Sequence, residues 1–384
     1  MSPGIERRAI ATSAARPMAI EPVYLDANAT APLRPAAYEA MMEALAQTGN
    51  ASSVHRSGRR AQAIIEEARV KVAALAGART ADVVFTASAT EANFLALNGV
   101  ETARRAVSAI EHPAVLENAP GATVIPCRQD GQVDCAALEA ALRDAPGIGL
   151  VSVMAVNNET GVIQPVEQAA EIAHSHGALL HCDAVQAAGR IPLDLSSIGA
   201  DLLTLSAHKI GGPQGAAALI LAPGMAFESP LRGGGQERRR RAGTENVAAI
   251  AGFGAAAEAA RQEDLPRVAE RAALRDSLEA RLREAFAALT VFGADAPRVW
   301  NTSLLALPGA PAEKQLIKLD LAGMAVSSGA ACSSGKVAES HVLRAMGVPP
   351  ELVACAIRIS LGWHSTAADI DAFVDSYTRL YAER

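Results

Sequence analysis

Residues 178–221, ALLHCDAVQAAGRIPLDLSSIGADLLTLSAHKIGGPQGAAALIL, decide the fold. They contain three short apolar runs, ALLHC (178–182), DLLTLS (201–206) and AAALIL (216–221), nearly continuous in Leu, Ile and Ala as in strands buried on both faces. Towards the N-terminus similar runs recur at DVVFT (82–86), AVSAI (106–110), ATVIP (122–126) and GLVSVM (149–154). Between most of them lie Ala-, Glu- and Leu-rich stretches, 90–104, 134–145 and 165–176, that read as helices. Strand and helix in alternation predict an α/β fold, a mostly parallel seven-stranded sheet flanked by helices. Ligands of such sheets collect at the carboxyl ends of the strands.

Beyond residue 221 the pattern changes. Residues 222–245 carry Gly-Gly-Gly, ERRRR and AGTEN, a polar segment too long for an ordinary connection. Residues 245–289 read as almost continuous helix, followed by strands at 299–306 and 355–361 and helices near 312–322 and 366–382. This divides the chain into a flexible tail at 1–22, a large domain at 23–262 and a smaller α+β C-terminal domain at 263–384. The N-terminal part of the large domain could pack on the small one. Met18 is an alternative start, and the tail weakly resembles an organelle transit peptide.

Composition narrows the function. At roughly 150 residues per domain, 384 residues allow two or three units. Only 13 aromatic residues are present, so the core must be aliphatic. A formal charge of −6 gives no cationic surplus for a phosphate backbone, which argues against nucleic acid. No apolar run approaches the roughly 20 residues of a membrane span. Five scattered cysteines fit a reducing compartment, and hence the cytoplasm, better than a disulfide framework.

The chemistry gathers at strand ends. Lys209, one of five lysines, follows the strand DLLTLS and precedes a glycine turn. Burial there would lower its pKa and make it a nucleophile toward carbonyls, unless it only leaves the strand and reaches water. Asp183 ends the strand ALLHCD, where it could partner a protonated pyridine nitrogen, as in pyridoxal-phosphate sites, or simply cap the next helix. ASATEAN (87–93) follows DVVFT and opens a helix at Thr90, so free N–H groups could cradle a phosphate, with Ser206 and His208 adding donors. His112 also follows a strand, placed to stack on a flat ring and carry protons, or to be an ordinary helix-start histidine. Cys332, in the Gly/Ser-rich SSGAACSSG (327–335), is exposed enough to react, or is an incidental surface thiol. His174, His176 and His181 lack the geometry of a metal site, and no metal is expected. No GxGxxG stands between a strand and a helix, so a nicotinamide cofactor has no support.

Ten ordered motifs, YLDANATAPL (24–33), GNASSVH (49–55), SATEANFLAL (88–97), EHPAV (111–115), VNNETGVIQP (156–165), HCDAVQAAG (181–189), SAHKIGGPQG (206–215), RAGTEN (241–246), SSGAACSSG (327–335) and RISLG (358–362), together resemble the cysteine desulfurases. These are pyridoxal-phosphate enzymes of the class V aminotransferase superfamily, of fold type I, and the likeness spans about residues 23–382. It implies that Lys209 forms the internal aldimine, Asp183 pairs with the pyridine nitrogen and His112 stacks over the ring. Gln186 and Asn158 would contact the ring-oxygen side. Ala89, Thr90, Ser206 and His208 would hold the phosphate, with Thr244 reaching it from the second subunit of a homodimer. Arg358, with Asn158 beside it, would bind the substrate carboxylate. Cys332 would carry the persulfide drawn from L-cysteine and pass its sulfur to acceptor proteins, such as an iron–sulfur scaffold. A selenocysteine lyase would share every one of these residues. A plain class V aminotransferase would have no need of Cys332, and a non-catalytic scaffold would be marked by loss of Lys209.

Overall fold

The computed structural model describes residues 23–328 and 339–382. The tail at 1–22 and Cys332 lie outside the described residues. Twelve strands run in order: β1 (Val23–Tyr24), β2 (Val83–Thr86), β3 (Arg104–Ser108), β4 (Thr123–Ile125), β5 (Ile148–Ser152), β6 (Leu179–Asp183), β7 (Leu202–Ser206), β8 (Ala217–Leu221), β9 (Thr290–Val291), β10 (Thr302–Ala306), β11 (Met324–Ala325) and β12 (Ala356–Ser360). The α-helices are α1 (Pro35–Leu45), α2 (Arg56–Leu75), α3 (Ala89–Asn98), α4 (Pro113–Leu116), α5 (Cys135–Asp144), α6 (Val166–Ser175), α7 (Val247–Ala259), α8 (Val268–Ala285), α9 (Ala312–Leu321), α10 (His341–Ala345), α11 (Pro350–Val353) and α12 (Ala367–Tyr381).

Seven strands form one sheet in the order β2-β8-β7-β6-β5-β3-β4, in which only β8 runs against the others. Both faces are covered, as the continuous apolar runs require. Phe85, Val151, Leu180, Leu203 and Ile220 face the core shared with α2, α6 and α7, while Val84, Leu150, Leu202 and Leu219 face the core shared with α3. The strand ends meet on one rim: β8 begins where β2 and β7 end, with Ala217 paired to both Thr86 and Ser206.

A second, smaller sheet, β12-β10-β9, is antiparallel and packs with α8, α9 and α12 around Leu305, Ile357, Phe373 and Tyr377. The N-terminal strand joins this half of the molecule: β1 pairs with β11, and Asp26 bridges to Ser360. Between α7 and α8 the chain passes through a π-turn at Ala260–Asp264 and a 3₁₀ turn at Leu265–Arg267.

Several elements end elsewhere than their sequence pattern predicts: the strand expected over 106–110 lies at 104–108 and that over 149–154 at 148–152, and two further departures have a plain structural reason. The helix expected over 90–104 stops at Asn98, because Gly99 caps it and a side chain there would meet the Phe227 ring at 2.2 Å; residues 104–108 then form β3. The strand expected over 299–306 begins at Thr302, since Asn301 turns its amide to Asn28 and to the carbonyl of Leu361.

The polar segment at 222–245 is pinned in place. Glu237, buried, accepts a two-pronged pair from Arg69 and the N–H of Phe85. Arg241 bonds Glu91, leaving Arg238 and Arg239 exposed.

Candidate active site

A cavity of about 670 Å³ opens on the strand-end rim, within the range of small-molecule sites. Ten of the sequence-selected residues line it: Ala89, Thr90, His112, Asn158, Asp183, Gln186, Ser206, His208, Lys209 and Arg358. Thr244 does not; it is exposed on the loop beyond Arg241. Cys332 lies outside the described residues.

Lys209 ends the short 3₁₀ turn that follows β7, and the chain must then reverse sharply. Gly211 makes this possible with φ +83°, where a Cβ would stand 2.7 Å from the Arg34 side chain. The amine donates to the carbonyls of Asn28 (2.6 Å) and Ala29 (2.8 Å). Burial, reinforced by the cations Arg358 and Arg190 and opposed by Asp26 and Asp183, brings its pKa down to about 7 from the ordinary 10.5. About half the amine is therefore neutral and nucleophilic at neutral pH.

Asp183 stands at the end of the neighbouring strand, in register with Thr204. One carboxylate oxygen accepts the N–H of Val185 at 3.0 Å and closes a local turn, for no helix follows β6 and the alternative role as a helix cap falls away; the other accepts from Asn93 Nδ2 at 2.8 Å. Asn93 is buried in α3, and its own Oδ1 has no partner among the described residues. Sequence reading passed over it, although an amide on the apolar side of a helix, among Ala92, Leu95 and Ala96, was a readable signal.

His112 caps α4 by accepting the N–H of Ala114 on Nδ1 at 3.0 Å. A ring nitrogen that accepts carries no hydrogen, so the neutral ring bears its proton on Nε2. Burial lowers its pKa, opposed by Asp183 and helped by Lys209 and His341. His208 is also pushed down, to about 4, chiefly by burial, and its Nδ1 lies 3.3 Å from Thr30 Oγ1.

At the start of α3, Ser88 Oγ accepts the N–H of Glu91, and Glu91 returns a carboxylate oxygen to the N–H of Ala87. The N–H groups of Ala89 and Thr90 have no acceptor among the described residues and face the same cavity as Ser206 and His208. An anion fits this helix end.

The opposite end of the cavity is assembled from distant segments. Arg358, on β12, donates to Asp26 Oδ1 at 2.7 Å and to the carbonyl of Asn158 at 2.9 Å. Asn28 joins several segments: its side chain donates to the carbonyl of Asn158 and to Thr302, and its own carbonyl accepts from Lys209 and from Gln186 Nε2. Gln186 is further held by Arg190, which donates to its carbonyl and to its Oε1. Asp26 and Asn28 lie within YLDANATAPL, where no local feature marks their roles.

Behind His112, Glu111 is fully buried. Its Oε1 accepts from Met154 N and Ser108 Oγ, its Oε2 has no partner among the described residues, and burial with Asp183 nearby raises its pKa to about 8. His181 is satisfied within the sheet by Ser152 and Thr204, and His174 pairs with Asp201.

The residues present fit pyridoxal phosphate. They offer a partly neutral amine for the aldehyde, a carboxylate on the neighbouring strand end for the ring nitrogen and a helix N-terminus for the phosphate. Comparison with known proteins bears on the same group. The model of the family described as aminotransferase class-V matches residues 23–373. A cysteine desulfurase of Cereibacter sphaeroides is 44% identical over 371 residues, covering 93% of this chain and 95% of that one. The structure of a NifS-like protein from Rickettsia africae superposes with a TM-score of 0.86 at 36% identity, covering 94% of this chain and 99% of the other. That of SspA in complex with cysteine does so with a TM-score of 0.77 at 28% identity, covering 89% and 99%.

Proposed function

Because the chain belongs to the class-V aminotransferase family, and within it to the cysteine desulfurases, we propose that the cavity draws sulfur from L-cysteine, releasing L-alanine and leaving a persulfide on Cys332. One observation carries the assignment of the site: a lysine amine with a pKa of about 7 shares a cavity with a carboxylate on the adjacent strand end. Pyridoxal phosphate, when bound, supplies the electron sink that makes the substrate α-proton removable. Lys209 would hold its aldehyde, and a neutral Lys209 amine would take that proton, which it can do near pH 7.

Asp183, oriented by Asn93, would partner the ring nitrogen, and Gln186 and Asn158 would contact the ring-oxygen side. Ala89, Thr90, Ser206 and His208 would hold the phosphate. His112 would supply its Nε2 hydrogen beside the ring. Arg358, kept in place by Asp26, receives the substrate carboxylate beside Asn158, where a planar guanidinium gives two parallel hydrogen bonds.

The thiolate of Cys332 attacks the substrate sulfur. The new S–S bond forms as the Cβ–S bond breaks, its electron pair passes to carbon, a proton carried by His112 completes the methyl group, and the proton held on Lys209 returns to the α-carbon to give alanine. No external oxidant is needed for this step.

The reading extends to partners. Thr244, exposed and off its own cavity, completes the phosphate site of a second copy in a homodimer. The apolar stripe of Tyr38, Met42 and Leu45 on α1 supports pairing of copies. The persulfide passes to acceptor proteins, among them an iron–sulfur scaffold. The setting is the cytoplasm; no helix of the described residues is long and apolar enough to cross a membrane.

Mass spectrometry after incubation with L-cysteine tests the reading. One added sulfur on the Cys332 peptide with alanine released is expected. Alanine release that survives Cys332→Ser under reductant would overturn the persulfide role.

A further inference from the structure

The start of α10 touches the two turns behind the cavity. Ser340 caps this helix by accepting the N–H of Leu343, and its hydroxyl donates to the buried Glu159 at 2.5 Å. Next to it, His341 bonds through Nε2 to the carbonyl of Glu111 at 2.9 Å. A carbonyl can only accept, so His341 carries its hydrogen on Nε2.

Both contacts lead to His112. Glu159 belongs to a turn closed by Asn157, whose Oδ1 accepts the N–H groups of Glu159 and Thr160 and whose Nδ2 donates to the carbonyl of Ile110. The two carbonyls immediately before His112 are thus tied to different parts of the molecule, that of Ile110 to Asn157 and that of Glu111 to α10. The Ile110 side chain is buried in the same cluster as Val342, Leu343 and Met346 of the α10 segment. Among the described residues the ring has one tether, the N–H of Ala114 donating to Nδ1, so its direction follows the pitch of this turn.

We propose that His341 is a positioning residue for the reaction: its hydrogen bond to the carbonyl of Glu111 sets the 110–112 turn and thereby the face that His112 presents to the cavity. The inference rests on the reading that His112 lies against the cofactor. It makes the orientation of a large-domain histidine depend on the docking of a small-domain helix, in the part of the chain that follows Cys332.

The test uses the cofactor-loaded enzyme and two readouts, kcat and KM for L-cysteine and the visible circular dichroism of the bound cofactor. His341→Ala is expected to lower kcat about tenfold, the scale of one lost hydrogen bond, with KM within about twofold and an altered dichroism band. His341→Gln, whose amide can extend to the same carbonyl, is expected to restore both, whereas the shorter His341→Asn is not. If His341→Ala melts early, the Gln and Asn variants are compared at matched melting temperature. Equal kcat and dichroism in those two, or a parent-like His341→Ala, overturns the proposal. Absence of turnover in the parent would instead strike the desulfurase reading, and the dichroism comparison would still decide the role of His341.

Discussion

The two ends of the cavity are built in different ways. At the end proposed for the cofactor, Asp183 closes strand β6, and Lys209, His112 and the α3 start each come from a short segment directly after a strand, all on one rim of one sheet. At the end proposed for the substrate, Arg358 meets Asp26 across 332 positions of sequence, and Asn28 reaches Thr302 across 274. The first end follows from strand order alone; the second exists only once the N-terminal segment has packed against the small sheet. In the proposed reading the groups that hold the cofactor sit on the first, and substrate recognition sits where the N-terminal segment meets the small sheet.

This division gives ordered expectations. The largest effect belongs to the cofactor end: Lys209→Ala should lower alanine release from L-cysteine by at least about 10²–10⁴-fold, the scale of a lost acid–base group, and abolish the visible cofactor band. His112→Ala should cost about 10²-fold in kcat while the band remains, because the phosphate and aldehyde contacts are intact. At the substrate end, Arg358→Lys should leave kcat and the band nearly unchanged and raise KM about 10- to 100-fold, matching the ~1.5–3 kcal/mol of a hydrogen-bonded charged group. A large fall in kcat with unchanged KM for Arg358→Lys would erase the distinction between the ends.

The smallest effect concerns stability. Glu111 has its pKa raised to about 8 in the folded protein against an ordinary 4.5, so the native state keeps a proton that the unfolded chain has lost between those values. Its contribution is full below pH 4.5 and lost as pH rises through 8. Urea midpoints should therefore fall from pH 5 to pH 8 more steeply for the parent than for Glu111→Gln. Parallel slopes would place the proton elsewhere.

The same contrast explains what the sequence could reveal. The seven strands of the large sheet were legible because burial on both faces leaves continuous Val, Leu and Ala runs, and Lys209, Asp183 and His112 were legible because each polar residue interrupts such a run at its end. Asp26, Asn28 and Glu111 carry no local mark: their partners lie far along the chain or behind the sheet, and an Asp or Asn ahead of a helix looks like an ordinary turn residue. Asn93 was readable in principle, as a polar residue on a buried helix face. The premature end of α3 depended on Phe227, a tertiary contact that periodicity does not show.

The central claim is that the Lys209 amine, titrating near neutrality, is where the cofactor aldehyde is held. The direct measurement is borohydride trapping of pyridoxal phosphate on the apoprotein across pH, with the labelled peptide identified by mass spectrometry. A pyridoxyl label on Lys209 whose rate of formation half-rises near pH 7 is the expected result. A label on another lysine, or a half-rise near the ordinary lysine value of 10.5, would contradict it.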